Sequence, residues 1–191
     1  MSKESKLREP TIRIENVVSS VTLDQPIDLL SVMKAVPDMV EYKPEQFPGL
    51  VFRLKKPKTA TLIFASGKMV CTGAKSEALA KRAVRKVLKY LKDNGILIVS
   101  RPEIKIQNIV ASADIHARID LEKAVFALGR TMYEPEQFPG LIYRMDEPKV
   151  VMLLFASGKL VCTGAKKESE VKEAVYRLRD ELEQKQLLYY E

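Results

Sequence analysis

The sequence predicts an α+β fold in which two copies of one unit form a single pseudosymmetric body. Residues 42–75, YKPEQFPGLVFRLKKPKTATLIFASGKMVCTGAK, recur 91 positions later as residues 133–166, and 23 of these 34 positions are identical. Short turns between the apolar runs of each copy predict antiparallel strands, and each copy ends in one long amphipathic helical pattern. A period of about 90 residues is too long for a solenoid, whose units run about 20 to 50 residues.

The duplication extends over nearly the whole chain. Residues 12–20 match residues 104–112 at an offset of 92, and the helical pattern of residues 76–93 has its counterpart at residues 167–186. The predicted organisation is a short N-terminal tail at residues 1–10, a first repeat at 11–100 and a second repeat at 101–191.

The first repeat begins with a strand and a short helix. Ile12 to Ser20 are rich in β-branched and apolar residues, which favour a strand. Asp24 then offers an N-cap and Pro26 an early helical position, so a helix is predicted from there, and Pro37 ends it.

Three further strands and a long helix complete each repeat. After the Pro-Gly loop of the first copy, the strands are predicted at Leu50 to Leu54, Thr59 to Ala65 and Lys68 to Thr72. Pro57 and Gly67 mark the turns between them. The helix of residues 76–93 has one apolar stripe, and lysines and arginines cover the rest of its surface.

The composition excludes several classes of protein. No run of the 191 residues approaches the roughly 18 to 20 apolar residues of a membrane span, and the polar start lacks the apolar run of a signal peptide. An intracellular protein is therefore expected. Cys71 and Cys162 lie at equivalent positions on apolar strands, which predicts buried core residues instead of metal ligands. His116 has no partnering nucleophile, so neither catalysis nor a cofactor is expected.

The net charge of +7 is distributed unevenly between the repeats. Residues 1–100 hold 18 Lys and Arg against 10 Asp and Glu, or +8, and residues 101–191 hold 14 against 15, or −1. A basic protein suggests a polyanionic partner. The asymmetry indicates that the two repeats meet different neighbours.

Two helices can cover only one face of a sheet of about five strands. On an ordinary antiparallel sheet the uncovered face is polar. In the strand at Thr59 to Ala65, however, the odd-numbered and the even-numbered side chains are both largely apolar. An uncovered apolar face is a binding surface. Basic residues on turns and strand ends surround it, namely Arg53, Lys58, Lys68 and Lys75, with Arg144, Lys149, Lys159 and Lys166 in the second copy. An apolar floor with a cationic rim suits an opened DNA minor groove.

The motifs that are duplicated closely resemble a known family. The paired FPGL loops, the paired FASGK(M/L)VCTGAK segments and the two first strands with Glu-Asn or Gln-Asn are similar, in order and spacing, to the TATA-box-binding protein family. The resemblance implies a saddle with one continuous curved antiparallel sheet and helices on the convex face. It also implies minor-groove binding with bending by inserted phenylalanines, for which this family is itself the known example.

The resemblance assigns roles to individual residues. The intercalating pairs would be Phe47 with Phe64 and Phe138 with Phe155. The minor-groove surface would be Asn16, Val18, Leu62, Val70, Thr72, Asn108, Val110, Leu153, Val161 and Thr163. Phosphate contacts would come from Arg53, Lys58, Ser66, Lys68, Arg144, Lys149, Ser157 and Lys159.

The partners implied are TATA-element promoter DNA, transcription factor B and, through it, RNA polymerase. The loop with Glu134, Glu136 and Gln137 resembles the acidic loop that docks transcription factor B, and Lys43 replaces Glu134 in the first copy. The chain begins almost directly with the repeats, which favours an archaeal-type protein in the cytoplasmic nucleoid; a eukaryotic one would be nuclear.

Other readings of the residues stay open. A protein that binds RNA or single strands also uses aromatic residues on an open sheet. A homodimer, formed without DNA, would equally cover the apolar face. Asn16 and Asn108 fit a structural role at a strand as well as a groove contact, because structural residues duplicate too.

Overall fold

The computed structural model describes residues 8–190. The first repeat contains β1 Thr11–Thr22, α1 Leu29–Ala35, β2 Val40–Glu41, β3 Leu50–Lys55, β4 Lys58–Ile63, β5 Lys68–Ala74 and α2 Glu77–Asp93. The second repeat contains β6 Glu103–Asp114, β7 Arg118–Ile119, α3 Leu121–Ala127, β8 Thr131–Met132, β9 Leu141–Met145, β10 Val150–Leu154, β11 Lys159–Ala165, α4 Glu168–Gln184 and β12 Leu188–Tyr189.

Hydrogen bonds join the strands in the order β2-β3-β4-β5-β1 in the first repeat and β6-β11-β10-β9-β8 in the second. Adjacent strands are antiparallel within each repeat, as in the β3-β4, β4-β5, β9-β10 and β10-β11 pairs. The predicted α+β class with antiparallel strands is therefore confirmed. The described chain divides into two compact units, one of residues 16–107 and one of residues 8–15 with 108–190.

The unit of residues 16–107 has its core between the sheet and α2. Alternate residues of β4 are buried, with Thr59, Thr61 and Ile63 on the inner face. Helix α2 packs on β5, β3 and β4 and buries Ala80, Ala83, Val84, Val87, Leu88 and Leu91. Its N-terminus is capped by Ser76, whose Oγ accepts a hydrogen bond of 3.0 Å from the Leu79 N–H.

The other unit repeats this arrangement. Helix α4 packs on β11 and buries Val171, Ala174, Val175, Leu178 and Leu182. Both cysteines are buried in their respective cores, as predicted. Burial and the charge of Glu170 raise the pKa of the Cys162 thiol to about 12, and burial also raises the pKa of the Cys71 thiol. None of the helices in residues 8–190 is long and apolar enough to cross a membrane.

The prediction that α1 begins near Asp24 is wrong. The N-cap is Asp28, whose Oδ1 accepts from the Leu30 N–H at 3.1 Å. The Leu23 N–H bonds to the Gly67 carbonyl at 3.2 Å, and the Ile27 N–H bonds to the Ala65 carbonyl at 2.9 Å. These bonds hold the preceding segment along the β4-β5 turn, so it cannot enter the helix earlier.

The segments that follow α2 and α4 are held by different hydrogen bonds. In the second repeat, β12 pairs with β7, with Tyr189 opposite Arg118. The position equivalent to Arg118 in the first repeat is Pro26, which has no N–H to donate. In the first repeat the Gln25 side chain binds the segment after α2 in place of a strand pair. Its Nε2 donates to the Leu97 carbonyl and its Oε1 accepts from the Val99 N–H, both at 2.8 Å.

Candidate nucleic-acid interface

Each unit has one sheet face without helices, called the open face below. The strand residues of this face are half-buried and alternate with the fully buried ones. The predicted minor-groove residues all share this intermediate exposure, namely Asn16, Val18, Leu62, Val70 and Thr72 in one unit and Asn108, Val110, Leu153, Val161 and Thr163 in the other.

The apolar side chains of the open face form a continuous floor within each unit. Leu62 lies directly opposite Val70 on the neighbouring strand, and Val70 lies opposite Ser20. The second unit has the same register, with Leu153 opposite Val161 and Val161 opposite Ser112. Side chains directly opposite each other on antiparallel strands share one face, so these rows are contiguous.

Asn16 lies beside a bulge, where the register of the β1-β5 pairing shifts, and its side chain forms hydrogen bonds with β5 there. Its Oδ1 accepts a 2.7 Å hydrogen bond from the Gly73 N–H, and its Nδ2 donates to the Thr72 Oγ1 at 3.0 Å. Gly73 has φ +105°, a conformation in the left-handed region that favours glycine. The bulge therefore fixes the orientation of the Asn16 amide.

The second unit contains the same cluster. The Asn108 Oδ1 accepts from the Gly164 N–H at 2.6 Å, and its Nδ2 donates to the Thr163 Oγ1 at 3.2 Å. An amide nitrogen carries two protons, and the bond to threonine uses one of them. The structural role and the groove-contact role are thus compatible in both asparagines.

A pair of phenylalanines lies at one end of each open face. The rings of Phe47 and Phe64 are 5.9 Å apart between centroids at an interplanar angle of 70°, and those of Phe138 and Phe155 are 5.9 Å apart at 74°. Phe47 is 41% exposed and Phe138 is 42% exposed. Large apolar side chains left this accessible are candidate contact residues.

The glycine of each FPG loop makes this ring packing possible. A Cβ added at Gly49 would lie 2.7 Å from the nearest atom of Phe47 and 3.0 Å from Phe64. At Gly140 the corresponding distances to Phe138 and Phe155 are 2.8 and 3.1 Å. Any side chain at these glycines would push the two rings apart or out of place.

Exposed cations surround the floor in both units. Arg53, Lys58 and Lys68 in one unit and Arg144, Lys149 and Lys159 in the other are all exposed. Ser66 and Ser157 occupy the equivalent β4-β5 and β10-β11 turns, where each Oγ accepts from the N–H of the following lysine at 3.4 Å. The predicted phosphate-contact residues are thus accessible to a ligand.

The acidic loop of the second repeat is accessible too. Glu134, Glu136 and Gln137 are exposed, and a 3.0 Å bond from the Gln137 N–H to the Glu134 carbonyl closes the turn. In the first repeat, the ammonium of Lys43 lies 3.3 Å from the carboxylate of Glu41. The two loops therefore share a backbone turn and differ in charge.

Four open-face residues went unnoticed in the sequence. The carboxylate of Glu15 accepts a 2.8 Å hydrogen bond from the Ser112 Oγ, and the Gln107 Nε2 donates to the Ser20 Oγ at 2.8 Å. The available signal was the alignment of the two first strands, in which Glu15 and Gln107 occupy equivalent positions.

The comparisons with known proteins point to one family, and they cover most of the chain. The family model "Transcription factor TFIID (or TATA-binding protein, TBP)" matches residues 11–94 and 103–185. The chain is 56% identical over 182 residues to a TATA-box-binding protein of Pyrobaculum calidifontis, covering 95% of this chain and 91% of that protein. It is 57% identical over 171 residues to the one of Sulfolobus acidocaldarius, covering 90% and 86%. A solved structure, Methanococcus jannaschii TBP, is 51% identical with a TM-score of 0.82, covering 91% of this chain and 98% of that chain.

Proposed function

The chain belongs to the TATA-binding protein family of transcription factors, and from this premise we propose that it binds the minor groove of TATA-element promoter DNA as a general initiation factor. The observation that carries the proposal is the open face of each unit, an apolar floor that ends in an accessible phenylalanine pair. Each unit contacts one half of the DNA site.

The chemistry of the open face matches an A·T-rich minor groove. That groove presents the adenine N3 and thymine O2 acceptors and lacks the guanine amino group that would meet an apolar floor unpaired. Asn16 and Asn108 supply amide protons to such acceptors, and the exposed lysines and arginines neutralise phosphates. The phenylalanine pairs insert between base steps and kink the duplex.

The acidic loop at Glu134 to Gln137 docks transcription factor B, which in turn brings RNA polymerase to the promoter. Exposed carboxylates on a closed turn suit a basic partner surface, and such rim charges steer the encounter of two proteins. The protein acts by binding alone and has no catalytic role. Because its relatives come from archaea, we propose that this function is carried out in the cytoplasm, at the nucleoid.

The alternative ligand, RNA or a single strand, fits the aromatic residues less well. Single-strand readers present flat aromatic platforms on which successive bases stack. Here the two rings of each pair pack edge to face at 70° and 74°, so each pair forms one wedge. A second copy of the chain on the open face is an outcome that sedimentation without DNA would reveal.

Gel-shift titrations at fixed salt test the proposal. The probes are a duplex with a TATA-like element, the same duplex with that element scrambled, and each single strand. We expect the element to bind at least about 10³-fold more tightly than the scrambled duplex, which is the lower range for specific binders. Equal affinity for both duplexes, or tighter binding of single strands, would refute minor-groove recognition of a promoter.

Removing one rim cation should change the salt dependence of binding. We expect Lys68→Ala or Lys159→Ala to weaken binding to all duplexes alike and to lower the slope of log K against log salt by about 0.9, the value for one phosphate contact. Lys81→Ala is the matched control, because Lys81 is an exposed lysine on helix α2. Affinities measured between 50 and 200 mM salt, roughly the usual working range, decide it, and an unchanged slope would remove the lysine from the phosphate contacts.

The asparagine clusters allow a test that separates groove contact from structure. Asn16→Asp and Asn108→Asp keep the oxygen that accepts from Gly73 or Gly164, and they remove the amide protons. We expect the ratio of affinities for the element and the scrambled duplex to fall about tenfold per variant, since a base-edge contact contributes roughly 1 to 3 kcal/mol to discrimination.

The ratio of affinities is the readout because an added charge weakens binding to both duplexes. Thermal unfolding of each variant shows whether the bulge survives. Folded variants with an unchanged ratio would leave both asparagines with the structural role alone.

A further inference from the structure

We propose that Glu15 and Gln107 make the two half-sites unequal and so give the protein a preferred orientation on DNA. This inference rests on the proposed minor-groove function and deepens it by naming a specificity device.

Ser20 and Ser112 occupy equivalent places beside the apolar floor. Ser20 lies opposite Val70, and Ser112 lies opposite Val161, each half-buried on its open face. Their hydroxyl groups would therefore meet equivalent positions of the two half-sites.

The two hydroxyl groups are in opposite hydrogen-bonding states. The Ser112 Oγ donates its proton to the Glu15 carboxylate at 2.8 Å, so only its lone pairs remain for a ligand. The Ser20 Oγ accepts from the Gln107 amide at 2.8 Å, so its own proton remains available. The first hydroxyl is an acceptor toward DNA and the second is a donor.

Base pairs distinguish these two states. In the minor groove, A·T pairs present acceptors only, whereas a G·C pair adds the guanine N2 amino donor. The Ser20 hydroxyl therefore favours A·T pairs in the half-site of its unit. The Ser112 hydroxyl, with the Glu15 carboxylate behind it, repels acceptors and tolerates a guanine amino group.

The charged side chains of the open face also differ between the two units. The Glu15 carboxylate lies 3.8 Å from the Nε of Arg13, and Gln107, which is neutral, occupies the equivalent position in the other unit. On the same face, Asp114 lies opposite Lys159, whereas Thr22 lies opposite the equivalent Lys68. Two carboxylates thus stand in one unit where the other has neutral side chains.

The experiment measures orientation on a symmetric A·T-rich duplex in which one G·C pair replaces an A·T pair in one half. An iron chelate on Gln46→Cys, in the exposed first loop, cleaves the DNA end nearest the unit of residues 16–107. The native cysteines, Cys71 and Cys162, are buried, so we expect the label to react with the introduced cysteine. Both variants, Glu15→Gln and Gln107→Glu, change charge with almost no change of shape.

We expect the labelled protein to place the G·C half in the unit that contains Ser112. Glu15→Gln should lower the ratio of the preferred to the reversed orientation by about threefold or more. A change of this size corresponds to part of one base-edge contact. The double exchange, Glu15→Gln with Gln107→Glu, should reverse the preference.

Two results would overturn the inference: an unbiased parent protein that still prefers the TATA-like element, or a bias that both the single and the double variant retain. Loss of the element preference in the parent would instead count against the proposed function. The two failures are therefore distinguishable in one set of measurements.

Discussion

Replacing the four phenylalanines Phe47, Phe64, Phe138 and Phe155 by alanine is expected to abolish most of the DNA bending and to reduce affinity by about 10²-fold or more. Unstacking a base step costs a few kcal/mol, which only inserted apolar surface can offset, and about 1.4 kcal/mol corresponds to a tenfold change in affinity. The rings of each pair pack edge to face, so both members support one wedge.

The measurement is energy transfer between dyes at the two ends of a TATA-like duplex. Each double variant, Phe47→Ala with Phe64→Ala or Phe138→Ala with Phe155→Ala, should show intermediate bending. The matched control is Phe126→Ala, because Phe126 is 90% exposed on helix α3 and lies outside the open face. Full bending by the quadruple variant would rule out phenylalanine wedges.

These variants are informative because the fold should tolerate them. Phe47 and Phe138 are about two-fifths exposed and lie in loops, so the core does not depend on their burial. Phe64 and Phe155 are half-buried and face away from the long helices. Truncating exposed apolar surface costs far less stability than truncating a buried core residue.

The sequence predicted the alternation within each strand because a strand has a period of two. Alternation separated Leu62 from Ile63 and Val70 from Met69, but both sets are apolar, so it did not say which set faces away from the helices. The duplication then supplied an independent copy of each assignment. The family resemblance was needed to give the residues roles, because apolar alternation does not name a ligand.

The sequence could not predict features that depend on contacts between distant segments. Asp24 and Asp28 are both good N-caps before a helical pattern, and only the bonds of Leu23 and Ile27 to the β4-β5 turn decide between them. Two-residue strands such as β7 carry no periodic pattern at all. The pairing of Glu15 with Ser112, 97 positions apart, likewise requires the register of the sheet.

The acidic loop gives the second large expected effect. We predict that Glu134→Arg with Glu136→Arg leaves DNA binding nearly intact and abolishes recruitment of transcription factor B to the complex. The two glutamates are exposed and lie on a closed turn, so the substitution changes charge without disturbing buried contacts. Like charges facing each other across an interface cost several kcal/mol, which corresponds to a loss of at least about 10²-fold in recruitment.

The first repeat supplies the matched control. Lys43→Glu gives the first loop the charge pattern of the second, with the Lys43 carbonyl still accepting from the Phe47 N–H at 3.0 Å. It should leave recruitment unimpaired, because the proposed docking surface belongs to the second repeat. Gel-shift titrations of both variants on a TATA-like duplex with purified transcription factor B decide between the loops. An undiminished ternary complex with the double arginine variant would place the docking surface elsewhere on the chain, and a loss with Lys43→Glu would assign it to the first loop.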